Sequence, residues 1–368
     1  MSDLICLSHL RWDFVLQRPQ HLMSRFARDR RVFFLEEPVV SDGERRTLDV
    51  SRRENGVYVA LPKFPVKLSR AEADSTIQEL LAELRSSYGI SDYILWYYTP
   101  MAMPFTRDLT PRVSVYDCMD ELSHFAGADP KLVDYERELL RRVDLVFTGG
   151  QTLYEYKRAA HPRVYPFPSS IDASHFERAR AEQSEPADQS RVGHPRIGYF
   201  GVIDERLDLE LLDGVARARP DWSFVFLGPI VKIDPSQVPS HPNIHLLGQK
   251  DYQELPAYLS GWDVAILPFA KNDATRFISP TKTPEYLAGG RRVVSTSITD
   301  VVQPYGTLGL VEIADSVEEF VTAIERMLEQ KDDTEWAARV REHLSGMSWD
   351  RTWQNMVSLM AEQAGGSL

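Results

Sequence analysis

Cysteine is scarce in this sequence. Only Cys6 and Cys118 occur among the 368 residues, which is too few for a disulfide framework or for a tetrahedral zinc site. This content suits a reducing compartment, so the cytoplasm is the expected location.

Long hydrophobic runs are also missing. Nowhere do about 18 apolar residues follow one another, which is the length that a membrane-spanning helix needs. The first ten residues carry Asp3 and lack the basic start of a secretory signal. We therefore expect neither a membrane span nor secretion.

Positive charge is in the minority. Lys and Arg number 42 against 54 Asp and Glu, a formal charge of −12, which argues against nucleic-acid binding through a broad basic face. The sequence has no G-x-G-x-x-G and no G-x-x-x-x-G-K-[ST], which argues against a dinucleotide oxidoreductase and a P-loop phosphotransferase. Any phosphate site must therefore be local and of another type.

Short apolar runs rich in β-branched and aromatic residues alternate with helical stretches. This alternation predicts an α/β fold with mostly parallel sheets. The predicted strands lie at 4–8, 32–35, 57–61, 93–98, 113–116, 145–148 and 164–167, then at 197–200, 224–227, 244–247, 264–267, 293–295 and 310–313.

The chain is expected to form two such domains in series. Residues 177–195 are polar, mixed in charge and without apolar periodicity, which is typical of a linker. We expect a Rossmann-like domain over 1–176, this linker, a second Rossmann-like domain over 196–347, and a helix over 348–368 that crosses back to the first domain. Ligands bind beyond the carboxyl ends of parallel strands, so two facing domains would share a cleft.

The sharpest local signal lies at residues 277–294, FISPTKTPEYLAGGRRVV. Ser279 and Pro280 are suited to begin a helix, and the Gly-Gly pair is suited to end it. Lys282 then falls in the first turn, where the helix dipole disfavours a cation by about 0.3 to 1 kcal/mol. A bound anion would offset this cost, and the backbone amides with Thr281 would form a phosphate cradle.

Glu285 follows Lys282 by three positions. Its carboxylate could accept hydrogen bonds from the vicinal hydroxyls of a sugar. The alternative is that Glu285 only complements the helix dipole and that Lys282 is a solvated surface lysine. The pattern alone leaves both interpretations open.

The segment 277–295 resembles the donor site of GT-B glycosyltransferases, particularly bacterial polysaccharide enzymes near family four and of the xanthan glucuronosyltransferase type. The resemblance extends over nearly the whole chain, with matching segments at 166–176 (PFPSSIDASHF), 197–212 (IGYFGVIDERLDLELL), 245–269 (HLLGQKDYQELPAYLSGWDVAILPF) and 348–353 (SWDRTW). It implies two facing Rossmann-like domains and transfer of a sugar from a nucleoside diphosphate to a hydroxyl group.

Carried over by position, the resemblance implies which residues would bind the donor. Lys282 and Thr281 would meet the diphosphate, and Glu285 the ribose. Gly201 would allow a close backbone approach beneath them. The Asp-x-Asp that holds a divalent ion in many glycosyltransferases is absent, so helix amides and Lys282 would stabilise the leaving group without a metal.

The nucleobase would be bordered by Gln249, Pro268 and Phe269, for which ordinary loop or core positions are the alternative.

Two departures from the family pattern bear on the stereochemistry. Retaining family-four enzymes commonly carry a Glu eight positions before the ribose Glu, where this chain has Phe277, and Arg206 here is not followed by their usual Lys. A retaining mechanism therefore lacks its motif.

In the first domain, the loop after the first predicted strand leads into a helix that begins at a proline. This segment, WDFVLQRPQHL, resembles the opening motif of a subgroup of bacterial glycosyltransferases. Arg18, Gln20 and His21 stand at the helix start and would point toward the acceptor. The Trp12 indole could stack on a sugar. The alternatives are that Trp12 packs beneath the loop and that Arg18 pairs with Asp13.

A carboxylate cluster, Asp117, Asp120 and Glu121, begins where a predicted strand ends. Carboxylates at the carboxyl end of a parallel strand are well placed for chemistry. Transfer to a sugar hydroxyl needs a base, and Asp120 is our candidate, as a similar Asp in the xanthan glucuronosyltransferase type implies. Helix capping is the alternative for Asp120, and His124 and His9 are reserves for the base.

We therefore expect a metal-independent glycosyltransferase that moves a sugar from a nucleotide sugar, with UDP favoured, to a hydroxyl of a glycan or lipid-linked acceptor in bacterial polysaccharide biosynthesis. Inversion is favoured over retention. A nucleotide-sugar 2-epimerase of the same fold and a non-catalytic nucleotide-sugar-binding scaffold are the alternatives. A lipid-linked acceptor would bring the protein to the inner face of the membrane through a patch such as residues 25–31.

Overall fold

The computed structural model describes residues 1–181, 183–330 and 333–366, and the chain divides into two compact units. Unit 1 comprises Met1–Pro168 and the chain from Trp349 onward, and unit 2 comprises Ser169–Ser348. Each unit contains its own sheet, mostly parallel in unit 1 and parallel throughout in unit 2. The predicted α/β fold class is confirmed.

Unit 1 is built around a mostly parallel sheet. Its strands are β1 (Asp3–Leu7), β2 (Val32–Leu35), β3 (Val39–Val40), β4 (Thr47–Arg52), β5 (Tyr58–Phe64), β6 (Tyr93–Tyr97), β7 (Val113–Cys118), β8 (Leu145–Thr148) and β9 (Val164–Pro166). They follow the order β3-β5-β2-β1-β6-β7-β8-β9, and β4 pairs with β5. Strands β1, β2, β6 and β8 are buried along their whole length, which explains their continuous apolar runs.

The strands β3 and β4 were not predicted. Strand β4 pairs only with β5, in the antiparallel direction, and most of its side chains are exposed. An exposed edge strand has no apolar face to mark it in the sequence, because burial is what imposes the hydrophobic pattern.

The helices of unit 1 that connect these strands are α1 (Arg18–Phe26), α2 (Arg70–Tyr88), α3 (Met103–Thr106), α4 (Leu132–Arg142) and α5 (Gln151–Lys157). Helix α2 begins at a capping box formed by Ser69 and Glu72 and ends at Gly89, which has a φ of 61°. Within the described ranges, no helix combines the length and the hydrophobicity needed to cross a membrane.

Unit 2 has the strand order of a doubly wound nucleotide-binding sheet. Its strands are β10 (Arg196–Phe200), β11 (Ser223–Leu227), β12 (Ile244–Leu246), β13 (Val264–Leu267), β14 (Arg292–Ser295) and β15 (Glu312–Ile313), and its helices are α6 (Ala173–Glu177), α7 (Leu209–Ala218), α8 (Leu255–Ser260), α9 (Lys282–Ala288), α10 (Thr299–Val301), α11 (Val317–Glu329) and α12 (Thr334–Leu344). The order is β12-β11-β10-β13-β14-β15, with every neighbouring pair parallel. Its switch point lies between β10 and β13, where such sheets bind ligands.

The segment 177–195, expected to be a linker, belongs to unit 2, and the boundary lies after Pro168. Gln189 is fully buried, donates to the Tyr258 carbonyl at 2.9 Å and accepts from the Trp262 indole at 2.9 Å. The hydrogen bonds of Gln189, together with the buried side chains of Ala179 and Val192, therefore attach this segment to unit 2.

The C-terminal helix α13 (Trp349–Gln363) belongs to unit 1. The sequence led us to expect a C-terminal helix that crosses back to the first domain. The Trp349 ring stacks on His21 with 4.7 Å between centroids, and Asp350 accepts from Arg25 at 3.1 Å. Arg25 and Arg28 both pair with Asp350. These two cations of the 25–31 patch therefore share one carboxylate within unit 1, and Arg28 stays 55% exposed.

Candidate functional site

Helix α9 begins at Lys282, later than the predicted start at Ser279 and Pro280. Pro284 has no N–H, so the Pro280 carbonyl cannot accept the usual bond from four residues on. It accepts instead from the Thr283 N–H at 3.2 Å, which makes a tight turn ahead of the helix. Lys282 is therefore the first helical residue.

The side chain of Lys282 lies across Gly201, which directly follows β10. A Cβ on Gly201 would stand 2.1 Å from Lys282 Cε and 2.7 Å from Nζ. Gly201 also has a φ of 140°, a conformation that side-chain-bearing residues rarely adopt. The ammonium lies 5.6 Å from the Tyr199 ring centroid, and Thr281 is the N-cap residue of α9. The structure thus brings together Gly201, Thr281 and Lys282.

Gly228 belongs to the same place and was missed in the sequence. It follows β11 directly, has a φ of 143°, and a Cβ there would stand 1.9 Å from the Gly201 carbonyl oxygen. Its N–H donates to Gly248 at 2.9 Å, and the Gly201 N–H donates to Leu227 at 2.8 Å. A glycine immediately after each of two neighbouring buried strands is the signal that could have found it.

Glu285 is buried on α9, with 8% of its surface exposed. Burial raises the pKa of its carboxyl to about 8, although the nearby Lys282 acts to lower it. The Tyr286 hydroxyl accepts from the Phe200 N–H at 2.9 Å and ties α9 to β10. In the part of the chain that the structure describes, the buried Thr283 hydroxyl has no hydrogen-bond partner. A carboxyl with a raised pKa and a buried hydroxyl without a hydrogen-bond partner, both close in sequence to a lysine, are features of binding sites.

The three residues expected to border the nucleobase differ in position. Gln249 is exposed in the loop after β12. Pro268 and Phe269 are buried directly after β13, and their carbonyls accept from the Asp208 N–H at 2.8 Å and the Thr296 hydroxyl at 2.7 Å. Pro268 and Phe269 therefore occupy buried positions that shape the loop, and their place beside a nucleobase stays a prediction.

Arg18 pairs with Asp117, and Asp13 pairs with Arg53 instead. The Arg18 guanidinium makes three contacts of 2.8 to 3.1 Å with the Asp117 carboxylate and donates to the Phe167 carbonyl at 2.7 Å. Burial by itself lowers the pKa of Arg18, but Asp117, together with Tyr98 and Asp120, raises it above its usual value. Arg18 is 3% exposed and pairs within unit 1 with a residue other than the Asp13 we had considered, so its role toward an acceptor stays a prediction.

The other predicted acceptor residues near α1 pack inside unit 1. The backbone N–H of Trp12 donates to the Glu36 carboxylate at 2.7 Å, and Trp12 is 6% exposed within the core. The Gln20 amide donates to the Trp12 carbonyl at 2.8 Å. His21 stacks on the first residue of α13. Trp12 therefore packs beneath its loop, and Gln20 fixes that loop from the helix.

Asp120 is half-buried in the loop after β7. The single turn Leu122–His124 that follows has Glu121 at its N-cap position, so Asp120 is not the cap. Lys157 fixes this loop from α5, with its ammonium 2.5 Å from Glu121 and 2.6 Å from Glu136. The candidate base therefore stands next to a buried, charge-paired anchor.

Gly149 supports the same loop from the end of β8. A Cβ on Gly149 would stand 2.5 Å from the Met119 carbonyl oxygen and 2.9 Å from its Cα. The Gly149 N–H donates to the Cys118 carbonyl at 2.8 Å. The residue before Asp120 can therefore lie where it does only because position 149 has no side chain.

The reserve bases lie in two loops. His124 ends the turn after Asp120 and His9 follows β1, and both are half-buried. Among the described residues, no group of three or more His, Cys, Asp or Glu side chains is arranged to hold a metal ion. Asp120 as the base, with His124 and His9 in reserve, stays a prediction.

Comparison with known proteins is consistent with this geometry. Residues 194–330, which include β10 to β15 and α9, match the family described as Glycosyl transferases group 1. The sucrose-phosphate synthase of Thermosynechococcus elongatus has the same fold, with a TM-score of 0.72 at 14% identity over 98% of both chains. The chain is a GT-B glycosyltransferase.

Two further proteins resemble this glycosyltransferase over most of their length. TuaH of Bacillus subtilis (strain 168), named as a teichuronic acid biosynthesis glycosyltransferase, is 24% identical over 293 residues, which are 74% of this chain and 73% of TuaH. Anabaena HepE, solved in complex with UDP and glucose, has a TM-score of 0.68 at 14% identity, covering 98% of this chain and 99% of HepE. Glycosyl transfer and the GT-B fold, both expected from the sequence, are confirmed.

Proposed function

We propose that this glycosyltransferase moves a sugar from a UDP-sugar to a hydroxyl of a glycan or lipid-linked acceptor in polysaccharide biosynthesis. The observation that carries the proposal is the position of Lys282 across Gly201, with buried Glu285 on the same helix, inside the group 1 domain. UDP in the HepE structure and the biosynthetic role in the name of TuaH support the donor and the acceptor class.

Unit 2 would bind the donor. The Lys282 ammonium would meet the diphosphate, and Thr281 and the backbone amides at the start of α9 would complete the cradle. Negative charge grows on the diphosphate as the bond to the anomeric carbon breaks, so the cation binds the transition state more strongly than the substrate. Glu285 would hold the ribose hydroxyls. This arrangement would stabilise the leaving group without a metal.

Unit 1 would bind the acceptor and supply the base. As the acceptor oxygen forms its bond to the anomeric carbon, its proton would pass to Asp120 and the nucleoside diphosphate would leave with the electron pair of the old bond. A single displacement of this kind inverts the anomeric centre. Phe277 at the position of the family's Glu supports inversion, and NMR of the product's anomeric proton tests it.

Calorimetric titration of UDP into Lys282→Ala tests the donor site. Loss of a charged hydrogen bond costs about 1.5 to 3 kcal/mol, so we expect the Kd to rise about 10- to 100-fold. Lys271→Ala is the matched control, because Lys271 is 54% exposed and pairs with Asp315 at the surface of the same unit. Equal UDP affinity in the two variants would remove the diphosphate role of Lys282.

The two alternatives are separated by incubation of the wild type with nucleotide sugars. An epimerase converts the nucleotide sugar to its epimer with no acceptor present. A binding scaffold takes up UDP and leaves every nucleotide sugar unchanged with every acceptor supplied. A transferase releases UDP only when an acceptor hydroxyl or water takes the sugar.

A further inference from the structure

A cavity of about 220 Å³ lies at the carboxyl ends of β1, β2 and β6 in unit 1. None of the residues assigned so far to the donor or to the base lines it. A cavity of about 150 Å³ is enough to hold a benzene ring. The volume in unit 1 therefore suits one six-membered ring that carries hydroxyl groups.

Much of the cavity wall is apolar. Leu7 and Leu35 come from the ends of β1 and β2, Ile77 from α2, and Met101 and Phe105 from the segment after β6. All five side chains are at most 9% exposed. Such a wall suits the C–H face of a sugar ring, which water solvates poorly.

Two buried hydroxyls add polar atoms to this wall. Ser8 is 3% exposed and Thr99 5% exposed, and both line the cavity. Each hydroxyl oxygen accepts a backbone N–H, from Leu10 at 3.0 Å and from Met101 at 3.2 Å. Each hydroxyl hydrogen therefore remains able to donate to a ligand oxygen.

Two carboxylates at the cavity form ion pairs with arginines, and a third, that of Glu37, is reached by the same arginines only at longer range: burial raises the pKa of Glu37, and Arg11 and Arg70 act to lower it. Asp74 pairs with Arg70 at 3.0 Å, and Glu36 pairs with Arg11 at 3.0 Å. Glu37 also lines the cavity, and its carboxylate makes no hydrogen bond or ion pair among the residues that the structure describes. An anionic ligand would meet this carboxylate with both arginines already engaged.

We propose that this cavity holds one uncharged sugar ring of the acceptor, an inference that rests on the proposed glycosyl transfer. Glu37 and Asp74 accept hydrogen bonds from ring hydroxyls, and Ser8 and Thr99 donate to ring oxygens. The apolar wall covers one face of the ring. Phosphorylated and uronic-acid sugars are excluded by charge, so the site selects the acceptor by its neutrality.

Ligand-observed saturation-transfer NMR tests the site with methyl glucoside, methyl galactoside and methyl mannoside as probes. Ala73 lines the cavity from α2, whereas Ala71 is exposed on the same helix. We expect the signal of at least one pyranoside in the wild type and in Ala71→Phe, and its loss in Ala73→Phe, which fills the cavity. An unchanged signal in Ala73→Phe, or no signal from any probe in the wild type, overturns the proposal.

The charge argument is tested by adding glucose 6-phosphate, methyl glucuronide and glucosamine. We expect the wild type to bind the two anions more weakly than the best uncharged pyranoside, and Glu37→Gln to reduce this discrimination. Glu44→Gln is the control, since Glu44 is exposed and outside the cavity. Anions that bind the wild type as tightly as the uncharged sugars, or glucosamine that binds tighter than all of them, contradict the proposal.

Calorimetry with UDP on the same samples separates this inference from the proposed function. The cavity residues belong to unit 1, and the proposed UDP site belongs to unit 2. If the wild type binds UDP normally but binds no pyranoside in the cavity, only the proposed acceptor site is disproved. Pyranoside binding that is lost in Ala73→Phe, together with no UDP or UDP-sugar binding in the wild type, removes the proposed function and leaves a sugar site.

Discussion

Replacement of Gly201 by alanine should damage both the fold and the donor site, for two separable reasons. The φ of 140° at Gly201 lies in a region that only glycine adopts readily, and forcing another residue into it costs about 1 to 3 kcal/mol. The new Cβ would also stand 2.1 Å from Lys282 Cε. A lysine side chain is flexible, so we expect Lys282 to swing away rather than the backbone to break.

Two further glycines, each with a positive φ, serve as comparisons for Gly201→Ala. Gly89 has a φ of 61° with nothing within 4 Å of a new Cβ, so Gly89→Ala should cost about 1 to 2 kcal/mol of folding free energy and leave UDP affinity unchanged. At Gly228 the new Cβ would stand 1.9 Å from the Gly201 carbonyl oxygen. A backbone carbonyl cannot move aside as a lysine side chain can, so Gly228→Ala should lower the free energy of unfolding more than Gly201→Ala does.

Urea unfolding followed by tryptophan fluorescence measures the first effect, and calorimetric titration of UDP measures the second. For Gly201→Ala we expect the UDP Kd to rise about 10- to 100-fold, the range for a lost charged hydrogen bond. Wild-type UDP affinity in a Gly201→Ala protein that is fully folded would refute the reasoning, because Lys282 would then contribute nothing from the position it occupies.

Three other predictions concern the base, its anchor and the buried carboxyl. Asp120→Asn should keep UDP affinity and slow transfer by orders of magnitude, as measured by UDP release with acceptor. Lys157→Met leaves buried Glu121 and half-buried Glu136 without their cation, so it should cost about 3 to 5 kcal/mol of folding free energy in urea unfolding and lower kcat. Since burial raises the pKa of Glu285 to about 8, inorganic pyrophosphate should bind the wild type more weakly as pH rises through 8, because the ionised Glu285 carboxylate then offsets the attraction of Lys282. Glu285→Gln should show no such loss.

Each of these three predictions has a result that contradicts it. Full activity in Asp120→Asn would move the base to another residue. Wild-type stability in Lys157→Met would mean that the two carboxylates find water or protons in place of the ammonium. The same pH dependence of pyrophosphate binding in Glu285→Gln and in the wild type would assign the transition to the ligand.

The buried strands could be predicted from the sequence because their pattern is local. Strands such as β2 and β13 are apolar at every position, since parallel strands buried on both faces leave no place for polar side chains. The segment around α9 could also be found, because a lysine in a first helical turn next to two prolines contradicts ordinary helix preferences. The exposed strand β4 could not, because solvent imposes no pattern on its side chains.

The amino-acid sequence by itself determined the α/β alternation, the two sheets and the position of Lys282 and Glu285 on a strand-to-helix segment. Only the tertiary structure decided that Arg18 pairs with Asp117, 99 positions away, rather than with Asp13, five positions away. It also decided that Gly228 touches Gly201, that Lys157 anchors the loop of Asp120, and that Glu285 is buried. Periodicity depends on neighbours along the chain, whereas ion pairs, close glycine contacts and pKa shifts depend on which distant segments the fold brings together.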